Sequence, residues 1–208
     1  MKLQVALDFG SMEELRAVLT DVAPYVDIVE IGAIINEYGL PVLETLKKEF
    51  PGPEYLADLK IADGGYYFAM RAHEVGAKYV TVLAVTEDET IKGCVRAGKE
   101  CGIKVVVDML GVKNFMERVR ELDAMGVDYI SVHTPADLQA TQTPFEDLKF
   151  ASMLVKNAGL SVAGGVNPGN VDNVLPYRPE IVIVGSALTG KGDRVAAAKA
   201  LRAALDQQ

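Results

Sequence analysis

The sequence predicts one α/β domain, a (β/α)8 TIM barrel spanning residues 1–208. Two observations predict it: eight short β-branched runs, and an amphipathic stretch after most of them. A third narrows the choice, because no G-x-G-x-x-G follows the first run, as a dinucleotide-binding open sheet would require. In order the runs are Leu3–Asp8, Val26–Ile31, Tyr55–Lys60, Tyr79–Ala84, Lys104–Met109, Tyr129–His133, Leu160–Ala163 and Ile181–Val184. They recur every ~20 to 30 residues, the length of one βα unit. Runs such as VVVDML and IVIVGS are nearly continuous in apolar residues. Strands of that kind are covered on both faces, as in a parallel sheet under helices.

The segments between the runs carry helix signals. After the first run, Ser11 stands as N-cap with Glu14 three residues on, the capping-box spacing. FMERVRELDAMG has apolar residues at helical spacing and stops on Gly126. Gly76 and Gly102 close earlier stretches in the same way. About eight helices are expected, with no linker or low-complexity tract between them.

Composition excludes several function classes. With 24% charged residues and a net charge of −8, the chain lacks the basic footprint of a nucleic-acid binder. The start MKLQVALDFG has no basic region ahead of a long apolar run, and no window reaches the ~18 apolar residues of a membrane span, so a cytoplasmic protein is expected. Cys94 and Cys101 are too few for a disulfide framework and lack metal-ligand spacing; both read as small buried residues.

In a (β/α)8 barrel the functional groups gather where strands end and βα loops begin. Asp8, Glu30, Asp58, Lys60, Asp63, Asp108 and His133 all fall there. The sharpest signal is Asp58-Leu-Lys60-Ile-Ala-Asp63-Gly64-Gly65. Residues two apart on a strand share a side, so Asp58 and Lys60 should both face the barrel mouth. The two glycines permit positive φ and close approach of a ligand. A lysine between carboxylates stays protonated and can stabilise an enolate or donate a proton; a structural ion pair is the other reading. Late in the chain, Gly164-Gly165 follows the seventh run and Gly185-Ser186 the eighth. Amides of such turns form an anion nest where barrels often hold a phosphate, although simple turns would use the same glycines. His133 ends the sixth run and is a candidate acid–base group, whereas His73 lies within a helix and reads as structural.

Together LQVALD, DIVEIG, ADLKIADGG, YVTVLAV, VVVDML, VHTPADLQA, VAGGV and IVIVGSAL resemble the orotidine 5′-phosphate decarboxylase superfamily over nearly the whole chain. Within it the likeness is to the branch of 3-hexulose-6-phosphate synthase and 3-keto-L-gulonate-6-phosphate decarboxylase. The resemblance implies a homodimeric, Mg2+-dependent enzyme working on a sugar phosphate through an enediolate. It implies Mg2+ ligands at Glu30 and Asp58, enediolate support from Lys60, hydroxyl orientation by Asp8, and acid–base work by His133. Asp63 would reach into the partner subunit's site. The decarboxylases usually carry arginines where this chain has Ala136 and Ser186. The expected reaction is therefore reversible aldol addition of formaldehyde to D-ribulose 5-phosphate, giving D-arabino-hex-3-ulose 6-phosphate. Decarboxylation of 3-keto-L-gulonate 6-phosphate is the alternative. Three positions depart from the synthase pattern: Ala33-Ile34 in place of Thr-Pro, a shorter loop before Gly39, and the bulky Tyr66-Tyr67-Phe68.

Overall fold

The computed structural model describes residues 1–207. Eight strands close on themselves: β1 (Lys2–Leu7), β2 (Ile28–Ile31), β3 (Glu54–Ile61), β4 (Tyr79–Leu83), β5 (Lys104–Asp108), β6 (Tyr129–His133), β7 (Gly159–Ala163) and β8 (Ile181–Val184). Each pairs in parallel with the next, and β8 returns to β1 with Val184 opposite Val5. The expected (β/α)8 barrel is thus present, with strand boundaries shifted by two residues at most.

The helices are α1 (Met12–Val22), α2 (Ile35–Tyr38), α3 (Pro41–Glu49), α4 (Gly65–Glu74), α5 (Asp88–Cys101), α6 (Phe115–Met125), α7 (Phe145–Leu154), α8 (Ser186–Thr189) and α9 (Arg194–Asp206). Their termini follow the local chemistry. The Ser11–Glu14 capping box starts α1, with the Glu14 amide donating to Ser11 Oγ (3.2 Å) and the Ser11 amide to Glu14 Oε2 (2.7 Å). Left-handed Gly102 and Gly126 end α5 and α6. The regular alternation of strand and helix breaks once. Between β7 and β8 the chain makes only two 3-10 turns, Val171–Asn173 and Leu175–Tyr177. The segment NPGNVDNVLPYRP explains this, since prolines at 168, 176 and 179 deny a helix its interior amides.

Apolar side chains form two clusters, as alternating strand residues demand. Ile28, Leu56, Tyr79, Val106 and Ile181 fill the barrel interior, while Val5, Val29, Val80 and Val105 belong to the larger layer beneath the helices. At the N-terminal end of the barrel, Lys2 Nζ donates to Glu54 and to the Tyr79 hydroxyl, both at 2.7 Å. No helix among the described residues is long and apolar enough to cross a membrane. Cys94 is buried as expected, and Cys101 is half-buried.

One reading of the glycine pair needs correction. Gly64 does adopt a left-handed φ of 67°, ahead of α4. Gly65 does not; it is needed because a Cβ there would stand 1.9 Å from the Thr90 carbonyl oxygen of α5. Neither glycine lines the central cavity of its own chain; Gly64 supplies the left-handed turn and Gly65 the close packing of α4 on α5.

Candidate active site

A cavity of about 210 Å³ opens at the C-terminal ends of the strands, lined by nine of the ten residues to which the sequence gives a catalytic, metal or phosphate role. These are Asp8, Glu30, Asp58, Lys60, His133, Gly164, Gly165, Gly185 and Ser186. The tenth, Asp63, lies exposed outside it, with its carboxylate accepting the Gly64 amide at 2.7 Å. His73 is exposed on α4, away from the cavity.

Asp58 and Lys60 do meet, but not through regular strand alternation. Ala57 pairs with Val80 and Ile61 with Val82, so residues 58 to 60 of β3 face Thr81 alone. Lys60 takes up the excess by adopting φ 43°, left-handed for a residue with a Cβ. Strain of this kind costs about 1–3 kcal/mol and persists only where the surroundings hold it. Here the Lys60 ammonium is ion-paired with Asp58 Oδ2, and its amide donates to Thr81 Oγ1 at 2.9 Å. Thr81 Oγ1 in turn donates to Asp58 Oδ1 at 2.7 Å. The Asp58 side chain is only 4% exposed and that of Lys60 39%, so the charge pair straddles the cavity wall.

Glu30 is buried beside them, held from below by the Gln4 side-chain amide. Burial first, then the carboxylates of Asp58 and Asp8, push the Glu30 carboxyl well above the usual range. Asp8 is raised for the same reasons, burial ahead of Asp58. Burial would depress the Lys60 ammonium, but the charge of Asp58 and its hydrogen bond, then Glu30 and Asp108, outweigh it and raise it. The cluster is therefore acidic beyond what one lysine balances.

That imbalance fits a hard divalent cation. Among the described residues no group of three or more His, Cys, Asp or Glu is arranged as a complete cage. Two carboxylates with the remaining positions left to water and substrate oxygens match the habit of Mg2+. Were such an ion bound, Glu30 and Asp58, both on the cavity wall, would be the residues to supply them.

Asp108 gains a role that the sequence did not assign. Its Oδ2 lies 2.9 Å from His133 Nδ1, and its Oδ1 accepts the Leu110 amide at 3.0 Å. With the carboxylate as acceptor, Nδ1 is the donor of this pair and Nε2 is the ring nitrogen left for another partner. The His133 side chain remains 21% exposed, within reach of a ligand. Beside it, after the neighbouring strand β7 where Ala163 pairs with His133, Gly164 and Gly165 turn the chain with φ of 110° and 75°. A Cβ at Gly164 would strike the Thr134 carbonyl oxygen at 2.6 Å, whereas one at Gly185 would enter open space. The first amides of α8 have no intrahelical acceptor, and the Ser186 and Thr189 side chains border the same cavity. Gln4, Thr81, Ser131 and Gln139 also line it and were not foreseen.

The chain is similar over its full length to known proteins. Residues 1–201 match the Orotidine 5′-phosphate decarboxylase / HUMPS family. The chain is 43% identical over 205 residues to 3-hexulose-6-phosphate synthase of Bacillus subtilis (strain 168), covering 97% of each. It superposes on the crystal structure of 3-hexulose-6-phosphate synthase from Salmonella typhimurium with a TM-score of 0.96 at 39% identity, covering 100% of this chain and 99% of that one. A 3-keto-L-gulonate-6-phosphate decarboxylase from Vibrio cholerae gives 0.87 at 26% identity, with 99% and 97% covered. The chain therefore belongs to the orotidine 5′-phosphate decarboxylase / HUMPS family.

Proposed function

We propose that this enzyme is a Mg2+-dependent aldehyde-lyase joining formaldehyde to D-ribulose 5-phosphate, reversibly, to give D-arabino-hex-3-ulose 6-phosphate. The observation that carries the reading is the single cavity in which an acid–lysine cluster faces a hydrogen-bonded His–Asp pair and a glycine nest. Amides after β7 and β8 take the phosphate, which fixes the sugar's other end against β1 to β3. His133 Nε2 removes a proton from C1 of the sugar, leaving an enediolate. Lys60 stabilises the charge that develops on its oxygen, and Asp8 orients the hydroxyls. A Mg2+ ion held by Glu30 and Asp58 would supply Lewis-acid polarisation of the substrate oxygens. The C1 carbon then attacks formaldehyde, and His133 returns its proton to the new alkoxide. Small side chains at Ala136 and Ser186 support this reading over decarboxylation, since neither supplies a cation beside the reacting carbon.

Incubation with ribulose 5-phosphate, formaldehyde and Mg2+ tests the proposal. Formaldehyde should disappear with equimolar formation of hexulose phosphate, and chelation should stop it. CO2 release from 3-keto-L-gulonate 6-phosphate without formaldehyde consumption would overturn it in favour of decarboxylation. Because Gly185 lines the cavity and a Cβ there would meet no protein atom within 4 Å, Gly185→Val should raise KM for the phosphorylated sugar by at least about tenfold and change kcat less. An unchanged KM removes the phosphate from this nest.

Catalysis by Asp63 requires a second copy of the chain, because Asp63 lies outside its own cavity. Beside it Tyr67 and Phe68 are 62% and 46% exposed, stacked edge to face at 5.3 Å. Val85 and Met116 add 56% and 50% exposed apolar surface on neighbouring segments. An apolar face next to a displaced acid suits a homodimer with shared sites. Lys60→Ala and Asp63→Ala subunits, each inactive alone, should then recover roughly a quarter of full activity when refolded together in equal amounts, since half the dimers regain one intact site. No recovery despite confirmed hybrid formation would place Asp63 outside the chemistry.

A further inference from the structure

We propose that Thr81 is a positioning residue for the reaction, its one hydroxyl setting both the Lys60 backbone and the Asp58 carboxylate. This rests on the reading above that Lys60 and Asp58 act on the substrate. Thr81 lies on β4 at the point where β3 leaves its regular register, opposite residues 58 to 60. In a regular ladder the backbone amide of a strand residue donates to a neighbouring strand's carbonyl. At φ 43° the Lys60 amide donates instead to Thr81 Oγ1, at 2.9 Å.

A threonine hydroxyl has one proton to give. With its oxygen accepting the Lys60 amide, that proton goes to Asp58 Oδ1 at 2.7 Å. Asp58 Oδ2 is taken by the Lys60 ammonium, so both carboxylate oxygens are pinned and the plane of the group is fixed. Thr81 is itself only 6% exposed, at the wall of the cavity. Lys60 is thereby held at both ends, its amide by Thr81 and its ammonium by the carboxylate that Thr81 orients. A left-handed lysine in a strand is over-determined by this one hydroxyl, and its removal frees the backbone and the carboxylate together.

Two substitutions separate positioning from general structural support. Thr81→Val keeps the branched shape but leaves the Lys60 amide and Asp58 Oδ1 without a partner. Its kcat should fall about 10- to 100-fold while KM for ribulose 5-phosphate stays within about twofold, because the phosphate nest lies across the mouth on β7 and β8. Thr81→Ser keeps the hydroxyl and should restore most of kcat. Native-state amide exchange of the unliganded protein supplies a readout independent of turnover. The Lys60 amide should lose protection in Thr81→Val and keep it in Thr81→Ser, with Val80 and Val82 protected in both. Unchanged kcat in Thr81→Val, or a parallel loss of protection across β4, overturns the proposal. If the unsubstituted enzyme fails to consume formaldehyde, the reaction assignment falls, while the Lys60 exchange still decides whether Thr81 holds that backbone.

Discussion

Lys60→Ala should lower kcat by about 10³-fold, at the upper end for removal of one transition-state donor. Lys60 is the one cationic side chain among the residues lining the cavity, apart from a protonated His133. Negative charge on the sugar oxygen would develop beside Asp8, Glu30 and Asp58, and without the ammonium every one of those neighbours opposes it. KM for the sugar phosphate should change far less, since the phosphate is gripped by amides on the other side of the mouth. A second substitution isolates charge from backbone. Lys60→Gly deletes the same ammonium but accepts φ 43° freely, so it should be more stable than Lys60→Ala by about 1 kcal/mol. Equal loss of kcat in the two variants, with different denaturation midpoints, identifies the charge as the catalytic element. A kcat within tenfold of the unsubstituted enzyme in either variant would sink that role.

The barrel was legible in the sequence because each of its signals is local. Nearly continuous apolar runs announce strands buried on both faces, and Ser11, Gly102 and Gly126 mark helix ends by their own conformations. The strand-end acids and the late glycines were legible for a related reason: a charged or left-handed residue in an apolar setting demands an explanation. What could not be read depends on pairs of strands. The register break between β3 and β4 leaves no mark in ADLKIADGG, and Thr81 looks like any β-branched strand residue. Gln4 sits in a run that would bury a valine as readily, and only the closed barrel brings its amide under Glu30. Asp108 was visible as a strand end, but its service to His133 needed β5 and β6 side by side. The role given to Gly65 failed because contact between α4 and α5 decided it.

The cost of the acid cluster leads to the other large expected effect. Glu30 is buried, raised first by that burial and then by Asp58 and Asp8, so the fold holds carboxylates together that repel one another. Glu30→Gln keeps the volume and can still accept the Gln4 amide, yet removes one of the opposing charges. The metal-free variant should therefore unfold at a higher temperature than the unsubstituted protein, the gain being on the order of 1 kcal/mol. Turnover should nevertheless fall by about 10³-fold or more, because an amide is a poor ligand for a hard cation. Thermal melts with added Mg2+ join the two effects. At about 100-fold above Kd, Mg2+ should raise the melting temperature of the unsubstituted enzyme by roughly 5–10 °C and leave Glu30→Gln unmoved. A higher melting temperature bought by losing activity is what distinguishes a charge kept for ligand binding from one kept for the fold. Full activity in the presence of a chelator, with no Mg2+ shift, would instead make Glu30 a strained structural acid and leave the chemistry to Lys60 and His133.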